Sequence, residues 1–186
     1  MLRVRSGDEA SFGLLLEKHR HGVVSFVYRM VQNQAVAEEL AQEVFLRVYR
    51  SRESYEPTAK FTTWLYRIST HVALNHIRDR RHARLEDSLD ATPEDGAPRE
   101  LPDQELNVEQ GMLREAALAE IRQAIEELPE KQRAAVLMHK YQEMDYEQIA
   151  AALNCSESAL KSMLFRAYQV LRNKLKKYAP KERSLS

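Results

Sequence analysis

Trp64, Arg67, His71 and Arg78 recur at the spacing of one helical face, with Asn75 at its edge, inside the segment FTTWLYRISTHVALNHIRDRRH. Phe61 stands just ahead of them, and Lys60, Arg80 and Arg81 extend the positive charge on either side. Aromatic faces, polar pockets and a track of cations are what holds nucleic-acid bases that have left the stack. The competing reading of Trp64 is a core anchor that packs and touches no ligand.

A second set lies between Asp145 and Leu175, which reads as a short helix (YEQIAAAL), a tight connection (NCS) and a longer helix (ESALKSMLFRAYQVLRNKL). That is the order of a helix-turn-helix, and Asn154 suits a turn needing positive φ. In the longer helix Leu160, Met163, Leu164, Ala167, Val170, Leu171 and Leu175 fall on one side as a core face. The other side presents Ser158, Lys161, Ser162, Phe165, Arg166 and Gln169, with Ser156 at its head, side chains able to reach base edges and phosphates. Lys174, Lys176 and Lys177 continue the charge toward backbone phosphates. An ordinary amphipathic hairpin is the alternative.

The third set sits in AVAEELAQEVFLRVYR, where Val36, Leu40, Val44 and Val48 form a core stripe. Glu39, Gln42, Glu43 and Leu46 lie about a third of a turn away, a leucine among acids as on a partner surface. Catalytic chemistry finds no such set. The six histidines do not pair with a carboxylate at metal-binding spacing, no phosphate-cradling glycine loop is present, and Cys155 stands in a turn with no dedicated base. No enzyme activity, metal or cofactor is expected.

The elements that must carry these sets are helical. Only 5 glycines occur in 186 residues, and apolar residues repeat three and four apart with no sustained alternation. Helices are predicted over residues 8–31 (broken near Gly22), 34–51, 61–83, 113–127, 130–141, 146–153 and 157–177. Pro129 marks one helix start, Asp145 with Gln148 forms a capping box, and Ser156 caps the last helix. The net charge of zero conceals blocks: residues 1–83 hold 13 Lys+Arg against 9 Asp+Glu, residues 84–112 hold 2 against 9, and residues 113–186 hold 13 against 10. The acidic strip contains Pro93, Pro98 and Pro102 and has little to bury. Two small helical domains, 1–83 and 113–186, joined by an acidic linker over 84–112, are therefore expected. The single cysteine fits a reducing cytoplasm, and neither a signal peptide nor an apolar run able to cross a membrane is visible.

The segment LPEKQRAAVLMHKYQEMDYEQIAAALNCSESALKSMLFRAYQVLRNKL resembles region four of the extracytoplasmic-function sigma factors, and AVAEELAQEVFLRVYR with the helix after it resembles region two of the same family. The resemblance implies an alternative sigma factor that takes bacterial RNA polymerase to promoters and opens them. It implies that Glu39, Gln42, Glu43 and Leu46 dock on the beta-prime clamp helices, with the beta flap a further contact. It makes Tyr55, Thr58 and Lys60, in the loop ESYEPTAKF, candidates for selecting a flipped base of the minus-ten element. Phe61, Trp64, Arg67, His71, Asn75, Arg78, Arg80 and Arg81 complete that surface, and Ser156, Ser158, Lys161, Ser162, Phe165 and Arg166 read the minus-thirty-five element. An anti-sigma factor is implied as a partner, and a decoy that binds one without engaging DNA is the alternative function. Met163 and Tyr168 stand where the family often has arginine, which implies weaker phosphate anchoring.

Overall fold

The computed structural model describes residues 1–87 and 108–176, with the side chains of 1–83 and 115–176. Among them every regular element is a helix: α1 Leu2–Arg5, α2 Glu9–Val31, α3 Gln34–Arg50, α4 Phe61–Asp87, α5 Val108–Glu126, α6 Glu130–Tyr141, α7 Tyr146–Leu153 and α8 Glu157–Lys174. Most of the expected linker lies outside the described residues. At its margins, residues 84–87 continue α4 and residues 108–112 open α5.

Local chemistry sets the boundaries. The carboxylate of Asp8 accepts from the Ser11 amide at 2.9 Å, Asn33 from the Val36 amide at 3.1 Å, Asp145 from the Gln148 amide at 2.8 Å and Ser156 from the Ala159 amide at 3.2 Å. Each satisfies an amide that has no partner within its own helix. Asn154 ends α7 in the left-handed conformation, with φ 51°, giving the tight turn into α8.

One expectation is corrected at Gly22, where α2 runs unbroken. The glycine serves a close approach instead: a β-carbon there would lie 2.9 Å from the Tyr66 hydroxyl. That hydroxyl donates to Oε1 of Gln142, so α2, α4 and the residue after α6 meet at one point. Burial pushes the Tyr66 pKa up to about 12.

The first three long helices pack around Phe26, Met30, Val44, Val48 and Leu65. α6, α7 and α8 pack around Leu137, Ile149, Leu160 and Leu164. The two groups share one continuous core, because α7 lies on α4 and α6 lies on α2. Five consecutive residues of α6, Ala134 to Met138, are buried, so this helix is surrounded on all sides. Arg29 stacks on the Tyr141 ring at 4.3 Å, and Arg81 pairs with Glu130 at 2.5 Å across the same boundary.

Candidate functional site

Three exposed surfaces emerge. In the first, α2 and α3 lie side by side and leave a groove of 510 Å³ between them. Phe12, Leu16, Arg20 and Val24 form its α2 wall, a row four residues apart. Gln42, Phe45, Leu46 and Tyr49 form the α3 wall, and the rings of Phe12 and Tyr49 meet at 5.0 Å. Leu46 is 49% exposed, so its apolar surface is available to a partner. Of the four expected docking residues, Gln42 and Leu46 line the groove. Glu39 is exposed one step around the helix, and Glu43 accepts from Arg47 at 2.6 Å. The sequence reading missed the α2 wall, although the row at 12, 16, 20 and 24 was a visible signal.

The second surface joins the loop of residues 51–60 to α4. Tyr55 is 6% exposed and meets the Trp64 ring edge-on at 4.9 Å, with Phe61 5.9 Å from Trp64. The Tyr55 ring is thus buried and fastens the loop to α4, leaving little of it open to a base. Thr58 and Lys60 remain exposed on that loop. Trp64 is half-buried in the aromatic cluster with one part open, so packing accounts for much of its surface. Arg67, His71, Arg78, Arg80 and Arg81 are exposed and Asn75 is half-buried, so α4 carries cations along its outer side. Arg78 pairs with Asp79 at 3.3 Å, and Arg81 is engaged by Glu130.

The third surface is the outer face of α8. Leu160, Leu164 and Ala167 are buried, and Met163 and Leu171 pack against the same core. Val170, expected in that face, is instead 38% exposed, because it lies at the edge of the stripe. Ser158, Lys161, Ser162, Phe165 and Arg166 are all exposed, Phe165 at 64%. Ser156 is occupied as the cap, and Lys161 pairs with Glu157 at 3.4 Å. Lys174 pairs with Glu127, Lys176 is exposed, and Lys177 lies outside the described residues.

The positions where arginine was expected turn inward. The Tyr168 hydroxyl lies 2.6 Å from Nδ1 of His139, and burial, reinforced by Tyr146, pushes its pKa up to about 12. Met163 packs on the core. These two residues bear on packing, and the outer face keeps its own cations. Among the described residues no group of histidine, cysteine and acidic side chains is arranged to hold a metal, and no helix is long and apolar enough to cross a membrane.

The family described as Sigma-70 region 2 matches residues 15–83, and that described as Sigma-70, region 4 matches residues 118–171. The chain belongs to the sigma-70 family. Its curated relatives place it among the extracytoplasmic-function sigma factors. The RNA polymerase sigma-H factor of Pseudomonas aeruginosa is 34% identical over 91% of this chain and 88% of its own length. The ECF RNA polymerase sigma-E factor of Escherichia coli K12 is 33% identical over 93% of this chain and 91% of its own length. Solved structures share the fold. The sigma factor RpoE in complex with the anti-sigma factor NepR from Bartonella quintana has a TM-score of 0.71 at 22% identity, covering 89% of this chain and 97% of that one. CnrH in complex with the cytosolic domain of CnrY has a TM-score of 0.68 at 20% identity, covering 94% of each chain. As a sigma factor, this protein directs RNA polymerase to promoters, and its groove and α4 surface fall within region 2 while the α8 face falls within region 4.

Proposed function

We propose that the three surfaces divide the work of promoter use. Residues 1–83 take the polymerase core in the groove through Gln42 and Leu46, with Glu39 and Glu43 on its flank, and hold the minus-ten element on Thr58, Lys60 and the cationic side of α4. Residues 113–186 read the minus-thirty-five element with Ser158, Lys161, Ser162, Phe165 and Arg166, and Ser156 fixes the head of that helix. The protein acts in the cytoplasm and performs no catalytic step of its own. An anti-sigma factor is its expected regulator, since the RpoE neighbour is seen with one.

The observation that supports this division most is the outer face of α8, where base-reading and phosphate-reading side chains are exposed together while the opposite side is locked into the core. Reconstitution with core polymerase and a promoter library, read by transcription, tests it. Leu46→Ala combined with Glu43→Lys is expected to lower core affinity about tenfold, the scale of one interface anchor. Arg166→Ala is expected to leave core affinity intact and weaken use of the minus-thirty-five element. Unchanged behaviour of both variants would remove these residues from their assigned roles.

A further inference from the structure

Residues 1–14 lie ahead of the segment that matches Sigma-70 region 2. They are nevertheless built into this fold. Val4 is 2% exposed, although α1 has only four residues. The turn after α1 is closed by the Asp8 amide donating to the Arg3 carbonyl at 3.0 Å, and Asp8 then caps α2. The Arg3 guanidinium lies 3.4 Å from the Asp8 carboxylate and reinforces that turn.

This anchoring sets the place of Arg5. Its Nη1 donates to the backbone carbonyl of Tyr55 at 3.0 Å. Between Arg52 and Ala59 the loop is otherwise held by local bonds, such as the Thr58 amide to the Glu56 carbonyl at 2.9 Å and the Ser54 hydroxyl to the Ser51 carbonyl at 3.2 Å. Among the described residues, the Arg5 bond is the one hydrogen bond that ties this stretch to a distant part of the chain. Two contacts thus converge on one residue: the Tyr55 ring is fastened by Trp64, and its carbonyl by Arg5. A loop fixed at ring and carbonyl has little freedom to rotate about that residue, and Thr58 and Lys60 follow within five positions.

We propose that α1 is a brace for the base-selecting loop and that Arg5 is a positioning residue for minus-ten specificity. Arg5 acts through the Tyr55 carbonyl and does not itself touch DNA. The proposal rests on the reading that residues 51–60 select a base of the minus-ten element. A guanidinium suits this task because it stays charged and reaches a carbonyl from a fixed planar fork.

The test uses full-length protein with core polymerase and a promoter library randomised separately in the minus-ten and minus-thirty-five elements. The variants are Arg5→Ala, Arg5→Lys, Thr58→Ala and Lys60→Ala. Arg5→Ala is expected to flatten the preference at the loop-read base by about tenfold, the lower end of the scale of one charge-assisted hydrogen bond. Core affinity and the minus-thirty-five preference should stay as in the parent protein, and Arg5→Lys should restore most of the discrimination. If Thr58→Ala or Lys60→Ala alters minus-ten preference while Arg5→Ala matches the parent, the brace is overturned and the loop reading stands. If neither loop variant alters it, the loop reading fails and the brace with it. A uniform drop across all promoters for Arg5→Ala, with preference intact, would reduce Arg5 to a fold-stabilising residue and overturn the proposal.

Discussion

Nη1 of Arg133, at the head of α6, donates to the backbone carbonyl of Met30 in the last turn of α2 at 2.7 Å. Nη2 of the same guanidinium donates to the Glu126 and Leu128 carbonyls, the latter at 3.4 Å. One cation thus serves the ends of two helices, where carbonyls lack intrahelical partners and the dipole is negative. It joins region 2 to region 4 through main-chain atoms, which any sequence at position 30 other than one that moves the helix would preserve.

Arg133→Ala is therefore expected to lower the free energy of unfolding by about 2 kcal/mol, the loss of charged hydrogen bonds at a half-buried place. Arg133→Lys should recover only part, since a single ammonium cannot span all three carbonyls. Urea denaturation measures both, and an Arg133→Ala midpoint equal to the parent's would show that the bond contributes nothing net.

The roles of Trp64 and Arg67 can now be separated. Trp64→Ala removes half of an edge-on ring pair and should cost about 2–3 kcal/mol, less than a fully buried tryptophan. Arg67 is exposed, and Arg67→Ala should leave stability within about 0.5 kcal/mol. If α4 holds the opened strand, Arg67→Ala will lower permanganate reactivity of unpaired thymines near the start site with polymerase binding intact. Full reactivity in Arg67→Ala would take that residue off the DNA surface.

Much of this was legible in the sequence, for reasons tied to particular residues. The caps Asp145 and Ser156 and the turn at Asn154 are local, decided within four residues, so α7 began and ended where the pattern placed it. The outer face of α8 followed from helical spacing. Gly22 misled because glycine weakens helices in isolation, whereas here the missing side chain admits Tyr66 from 44 positions away. The core shared by the two halves was harder to foresee. The run Ala134 to Met138 is apolar on every side of its helix, which calls for partners on every side, but nothing in it says that α2 is one of them. Arg133 and Arg5 were invisible for a related reason: each donates to a backbone carbonyl, and a carbonyl leaves no mark in residue type.

Stability should respond to pH through His139. Burial first, and the charge of Lys140 second, hold its pKa below the ordinary histidine value. The unfolded chain then binds the proton more readily than the folded one, so stability is present above the unfolded pKa and is lost as pH falls toward the folded value. His19 moves in the same direction, from burial and then Lys18. The denaturation midpoint is expected to fall as pH drops below about 6.5, the ordinary histidine pKa. In His139→Gln that fall should be shallower, because the neutral partner to the Tyr168 hydroxyl is retained without a titration. An identical slope in parent and variant would assign the effect to other groups.

The shared core carries a consequence for promoter engagement. Elements named for positions minus ten and minus thirty-five are about 25 base pairs apart, roughly 85 Å at about 3.4 Å per base pair. A body of roughly 150 residues, about the number the structure describes, has a radius of gyration of about 15 Å and a diameter of about 40 Å. On the proposed division of promoter reading, the closed arrangement cannot touch both elements, and α6 and α7 are expected to leave α2 and α4 when both are read. Arg29 and Tyr141 stack across that boundary at 4.3 Å, within reach of a short linker, and neither belongs to the surfaces proposed for polymerase or DNA. Arg29→Cys and Tyr141→Cys in a Cys155→Ser background, joined by a reducible bismaleimide, should transcribe from a two-element promoter at least about tenfold less than the unlinked protein, the loss of at least one anchoring contact. Reduction of the linker should restore activity. Full transcription by the linked protein would show that the two regions work without separating, and the spacing argument would fail.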